Sequence, residues 1–278
     1  MTTTTRFSVS RAEYARMTTA ELRAAFLVES LFAPGVVNLT YWETDRSVLG
    51  AAVPAGHPLT LDAPKEVAST HFCERRELGI LNLGEAGAVI VDGTTHALAP
   101  RDLLYVGRGA KVISFTSAKA DAPARFFLVS YPAHTTHPTK LARQADAKMI
   151  KLGSPETANQ RTIYQYVHEE GVKSCQLVMG YTQLDPGSVW NTMPPHTHLR
   201  RSEIYLYFTV PETQAVVHLM GPSDETRHLL VHNEQAVLSP IWSIHSGCGT
   251  GHYAFVWAMG GENQVFADMD GIPANALR

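Results

Sequence analysis

From Leu78 onward the chain alternates apolar and polar residues over short runs broken by turn formers. The stretch "LGILNLGEAGAVIVDGTTHAL" holds two such runs around Gly84–Gly87, closed by the hairpin pair Asp92-Gly93. "DLLYVGRGAKVISF" continues the pattern. Later runs are "SCQLVMGYTQL", "EIYLYFTV", "QAVVHLM", "RHLLVH", "QAVLSP" and "HYAFVWAMG". Side chains of a strand alternate between faces, so these runs predict half-buried strands, and their close spacing predicts an antiparallel sandwich or barrel. One segment has the helical period instead. In "TTAELRAAFLVESLF", Leu22, Phe26 and Leu27 share a face, Thr18 or Thr19 suits the N-cap, and Glu21 stands in the first turn. This helix is expected to stop by Ala33–Gly35.

Between about Ala133 and Thr162 neither period is sustained, which reads as a linker with room for a short helix. The flanking halves share a layout. "HALAPRDLLYVGRGAKVISFTSA" and "HNEQAVLSPIWSIHSGCGTGHYAFVWA" each run from a polar turn through a short apolar strand and a corner into a strand of large apolar residues. The expected organisation is a duplicated, mainly β chain with an N-terminal helix. It has a first barrel over 1–140, a linker over 141–162 and a second barrel over 163–278.

Composition narrows the function classes. Lys plus Arg number 23 against 26 Asp plus Glu, a net charge of −3 with no basic block, which disfavours nucleic-acid backbones. No apolar run approaches the roughly 18 residues of a membrane span. "MTTTTRFSVS" lacks the features of a secretory leader. The three cysteines, Cys73, Cys175 and Cys248, are scattered, so a disulfide framework is not expected and a reducing cytoplasm is the natural setting. The 13 histidines, in contrast, invite a search for a metal site.

That search ends at "NTMPPHTHLRRSEIYLYF". His196 and His198 share a strand face, but Glu203 lies an odd number of positions further on. The carboxylate can join the imidazoles only if the chain bends through "LRRS". Beyond the bend Glu203, Tyr205 and Tyr207 share one face, expected inside a barrel. Ile204, Leu206 and Phe208 share the other, expected against the second sheet. A fourth ligand, His245, follows the Pro240 corner. Three imidazoles and a carboxylate suit Zn²⁺, Fe²⁺, Mn²⁺, Ni²⁺ or Co²⁺. In the first half His57, His71, Glu74 and His96 are available without an H-x-H pair, so that barrel is expected to be metal-free.

The ligand pattern resembles the metal motif of the cupin superfamily. Over nearly its whole length the chain resembles the 5-keto-4-deoxyuronate isomerase family. The resemblance runs through "FLVE", "ERREL", "LYVGRGAK", "PAHTTHPTK", "WNTMPPHTHLRRSEIY", "ETRHLLVHNEQAV", "IWSIHSG" and "GENQVFADMDG". Pro195 and Leu199 depart from the family pattern without touching a ligand position. The resemblance implies a duplicated cupin with zinc on His196, His198, Glu203 and His245, and a homohexamer. It also implies an aldose–ketose isomerisation in pectin and uronate breakdown, from an open 4-deoxy-5-keto-uronate to 3-deoxy-D-glycero-2,5-hexodiulosonate. Such a reaction needs a proton-transfer group, for which Tyr205, His228 and Glu262 are candidates by type, with Glu203 able to act as both ligand and base. The substrate carboxylate calls for a guanidinium, from Arg161, Arg200 or Arg201. Competing readings are an iron-dependent cupin dioxygenase, which oxygen consumption would reveal, and a sugar-binding cupin without chemistry.

Overall fold

The computed structural model describes residues 1–262 and 264–278, so Asn263, within the "GENQVFADMDG" string, lies outside the described residues. Strands dominate, as expected. The chain divides into two compact units that are not successive blocks. The first comprises Met1–Arg6, Ser30–Ala147 and Tyr166–Val178; the second comprises Phe7–Glu29, Lys148–Gln165 and Met179–Arg278. The N-terminal helix therefore belongs with the C-terminal strands rather than with the first barrel. No helix is long and apolar enough to cross a membrane.

The first unit has a seven-stranded and a four-stranded sheet. Val37, Leu39, Leu78, Ile80, Leu104, Val106, Phe126 and Leu128 of the larger sheet meet Val89, Val91, Ile113 and Phe115 of the smaller in one core. The alternation read from the sequence is thus the inward set of a sandwich. At the Asp92-Gly93 turn both residues have positive φ (48° and 85°), the geometry a tight hairpin demands.

Beside this core lies a buried carboxylate. Glu77, fully buried, accepts the backbone N–H groups of Gln176 (2.7 Å) and Leu177 (2.8 Å) on Oε1. Its Oε2 accepts the N–H of Cys175 (2.6 Å) and the Tyr105 hydroxyl (2.8 Å). Four donors thus compensate one desolvated charge and tie the 175–177 segment to its strand.

In the second unit the helix Thr19–Phe26 has Thr18, one of the two N-caps read, as its cap: Thr18 Oγ1 accepts from the Glu21 N–H, and the Glu21 carboxylate accepts from the Thr18 N–H. It stops earlier than expected. Leu27–Val28 turn extended and pair with Ala236–Ser239, so the sheet satisfies their backbone groups in place of further helical turns. The stretch expected as a linker also differs. Lys148–Leu152 forms an edge strand antiparallel to Arg161–Val167. None of its residues is buried, so no apolar face existed to leave a period in the sequence.

Arg201–Phe208 is a central strand, flanked by Ala254–Gly261 and Ala236–Ser239. Its polar set lies inside the sandwich, as expected, whereas its apolar set, expected against the second sheet, lies on the opposite face. The polar set faces the four-stranded sheet: Tyr207 Oη lies 2.7 Å from His218 Nδ1, and the Tyr205 ring is 5.2 Å from that of His245. The apolar residues Ile204 and Leu206 are buried on the opposite face. Both faces of this strand are buried, so alternation could sort the residues into two sets without saying which set met which sheet.

Candidate metal centre

His196 stands on the two-residue strand His196–Thr197, which pairs with Asp270–Gly271. A turn at Leu199–Arg200 follows, in which the Arg201 N–H donates to the His198 carbonyl at 3.2 Å. This is the bend through "LRRS" that the odd spacing required. It starts Arg201–Phe208 in a new register and turns Glu203 back toward the imidazoles. His245 arrives from Ile244–Gly249, opposite Met220.

The four ligand atoms form a ring. His196 Nε2 is 3.0 Å from His198 Nε2 and 3.1 Å from His245 Nε2. Glu203 Oε2 is 2.8 Å from His245 Nε2 and 3.3 Å from His198 Nε2. All four lie within 4.8 Å of one another. Two donors ~2.0–2.1 Å from a shared ion, subtending about 90–110°, sit ~2.9–3.4 Å apart, so the spacing fits a first-row divalent ion. Partners behind the ring set its chemistry. His198 Nδ1 lies 2.5 Å from the Asp268 carbonyl and His245 Nδ1 lies 3.3 Å from Ser239 Oγ. Donation from His198 Nδ1 to that carbonyl leaves its Nε2 as a lone pair facing the centre. Glu203 Oε2 is buried with no hydrogen bond of good geometry. Lone pairs and a carboxylate packed this closely repel unless a cation lies among them, so the donor set fits a metal.

Burial, reinforced by His245 and His198, pushes the His196 imidazole down to about 2. Burial likewise pushes His218 down to about 3. On Glu203 burial acts upward, but His245 and His198 outweigh it and hold the carboxyl well below its ordinary range. Both histidines lie below their ordinary 6.5, so the unfolded chain takes up protons first as pH falls. Their contribution to stability is complete above about pH 6.5. It is lost as pH drops toward those folded values, by about 1.4 kcal/mol per pH unit for each group. The melting temperature of metal-free protein should therefore fall steadily from pH 7 to pH 4.5; a flat profile would contradict this.

A cavity of about 270 Å³ opens on the ring, walled by Phe255, Trp257 and Phe266, with Arg161, Thr192 and Tyr205 at its polar points. Of the proton-transfer candidates, Tyr205 lines it. His228 and Glu262 are exposed and, among the described residues, are not part of its lining. The parity of Arg227–Val231 explains His228: Leu229 and Val231 point inward, so His228 points outward. The arginines divide similarly. Arg161 is half-buried in the cavity wall, with Nη1 donating to the Asn159 carbonyl at 2.8 Å. Arg200 is exposed and paired with Asp268. Arg201 is buried and donates to the carbonyls of Val265 (2.8 Å), Phe266 (3.1 Å) and Asp268 (3.3 Å). It anchors the segment whose Asp268 carbonyl orients His198.

Sequence reasoning passed over Thr192, Ser239, His218 and Asp268. His218 was the most accessible of these, sitting at an inward position of the alternating run "QAVVHLM". The Asp268 contact uses a backbone carbonyl, which no residue type announces.

Comparison with known proteins agrees with this architecture. The model of the KduI/IolB family matches residues 26–271. A Kineococcus radiotolerans protein named 4-deoxy-L-threo-5-hexosulose-uronate ketol-isomerase is 56% identical, covering 98% of this chain and 99% of its own. A protein of the same name from Halalkalibacterium halodurans is 51% identical, with 98% and 99% covered. Among solved structures, an IolB-like protein from Salmonella typhimurium LT2 superposes with a TM-score of 0.73 at 14% identity, covering 89% of this chain and 96% of its own. Oxalate decarboxylase from Lactobacillus farciminis gives 0.58 at 11% identity, covering 89% of each chain. These two share the fold. From the family match and the full-length identities, the chain belongs to the KduI/IolB family.

Proposed function

We propose that the protein is a zinc-dependent aldose–ketose isomerase acting on an open 4-deoxy-5-keto-uronate and forming 3-deoxy-D-glycero-2,5-hexodiulosonate in pectin and uronate catabolism. Identity above 50% to relatives named as uronate ketol-isomerases supports isomerase chemistry on this class of substrate. The observation that carries metal dependence is the convergence of His196, His198, Glu203 and His245 beside a small-molecule cavity.

The reaction needs no external oxidant. A proton leaves C2, and its electron pair forms the C1=C2 double bond while the C1 oxygen takes the charge. A proton then returns to C1, and the C2 hydroxyl proton passes to O1, leaving the ketone at C2. A divalent ion on the four ligands supplies Lewis acidity that stabilises negative charge on the C1 and C2 oxygens. Tyr205 is the group of this chain placed to move a proton, since its ring borders both the cavity and His245. Burial, then the Glu203 charge, pushes its phenol well up, so it keeps its proton at neutral pH and presents an O–H to the charge that develops on a substrate oxygen. Phe255, Trp257 and Phe266 exclude water around the charge that develops.

Arg161 is the guanidinium that meets the substrate carboxylate. Lysine there keeps the charge but loses the planar two-pronged donor. Arg161→Lys should raise KM about tenfold with kcat little changed, a loss of ~1.4 kcal/mol of uniform binding. Unchanged KM would remove Arg161 from this role. The reaction itself is tested by ¹H NMR of the keto-uronate with purified protein. The aldehydic C1 signal should give way to methylene protons at C1, and a spectrum that never changes would overturn the reading.

A further inference from the structure

Thr192 stands at the corner between the strand Trp190–Asn191 and the metal-ligand strand His196–Thr197. Its φ is +50°, the left-handed region. A β-branched residue there is a true outlier, costing on the order of 1–3 kcal/mol, and glycine or asparagine would turn the same corner more cheaply. The corner is fixed on both sides. Asn191 pairs with Gly247, its carbonyl accepts from Ser246 Oγ at 3.0 Å, and His196 pairs with Gly271. What threonine adds is a hydroxyl. Thr192 lines the cavity, and its Oγ1 lies 3.2 Å from the hydroxyl of Tyr205, whose side chain is otherwise packed among the rings of His245, His218, Tyr207 and Phe255.

We propose that Thr192 is a positioning residue: its hydroxyl fixes the direction in which the Tyr205 phenol faces the reacting carbons, and the backbone strain is retained for that purpose. The inference rests on the isomerase reading above. A phenol rotates freely about its C–O bond. A partner on one side of the oxygen leaves the other lone pair or the proton aimed into the cavity. Alignment of this kind acts on the chemical step rather than on substrate binding, and misalignment of about 1 Å can cost ~10²-fold in rate.

The test uses metal-loaded wild type with Thr192→Ser, Thr192→Val and Thr192→Gly, reading kcat, KM and melting temperature. Serine keeps the hydroxyl and should hold kcat within about threefold. Valine keeps the shape and loses the hydroxyl, so kcat should fall about 10- to 100-fold with KM little moved. Glycine relieves the strain. It should lose as much kcat as valine while its melting temperature stays level or rises by up to ~3 °C. Opposite movement of rate and stability is what a merely structural threonine could not give. Valine and glycine variants with wild-type kcat would overturn the proposal, as would a glycine variant whose melting temperature falls in step with its rate. Wild type without isomerase activity would instead overturn the functional reading, so the two failures are distinct.

Discussion

His245→Ala should empty the metal centre and lower kcat/KM by 10³-fold or more. The imidazole contributes one of four ligand atoms, and its Nε2 sits 2.8 Å from Glu203 Oε2 and 3.1 Å from His196 Nε2. Alanine leaves Glu203 and two histidines as the remaining ligand atoms. Losing Lewis-acid stabilisation worth at least ~4 kcal/mol corresponds to that factor. Ser239→Ala provides the contrast. Ser239 pairs with Glu203 through the backbone, and its side-chain Oγ lies 3.3 Å from His245 Nδ1, so loss of the hydroxyl should weaken metal binding about 10- to 100-fold and leave the saturated enzyme active. Isothermal titration with Zn²⁺ and kinetics at saturating metal separate the two cases. A fully active His245→Ala enzyme would show that the four-residue ring is not the catalytic centre.

The second large effect is on stability and concerns the first unit. Glu77→Gln should destabilise the first unit by about 3–5 kcal/mol. Glutamine has the size of glutamate but replaces one acceptor oxygen with an amide N–H₂. On one orientation that N–H₂ faces the N–H groups of Gln176 and Leu177; on the other it faces the N–H of Cys175. The Tyr105 hydroxyl can rotate to accept, but backbone N–H groups cannot, so at least one donor is left buried and opposed. Chemical denaturation monitored by tryptophan fluorescence measures the change. A midpoint unmoved by Glu77→Gln would mean that the buried charge contributes no more than a neutral amide.

The grouping of His196, His198 and Glu203 was legible in the sequence because two constraints combined, and His245 was read from the corner after Pro240. Strand parity put His196 and His198 together, and the odd offset of Glu203 demanded the turn found at Leu199–Arg200. The helix N-cap, read as Thr18 or Thr19 and found at Thr18, and the Asp92-Gly93 hairpin were legible because each is a local rule satisfied within a few residues. What escaped was non-local. Lys148–Leu152 has no buried residue and shows no period, so its pairing with Arg161–Val167 had no sequence trace. His228, Arg200 and Arg201 have suitable chemistry, but only the fold reveals that His228 points outward, that Arg200 pairs with Asp268, and that Arg201 holds backbone carbonyls. Thr192 escaped because a threonine in a proline-rich corner looks like any loop residue until its φ and its hydroxyl partner are seen.

The most direct measurement is the metal content of the purified protein followed through chelation and restoration, with keto-uronate turnover monitored by NMR in the same samples. A divalent ion that leaves with the chelator, takes the activity with it, and restores both on return is the expected result. Isomerisation that continues at full rate in metal-stripped protein would contradict the role assigned to His196, His198, Glu203 and His245.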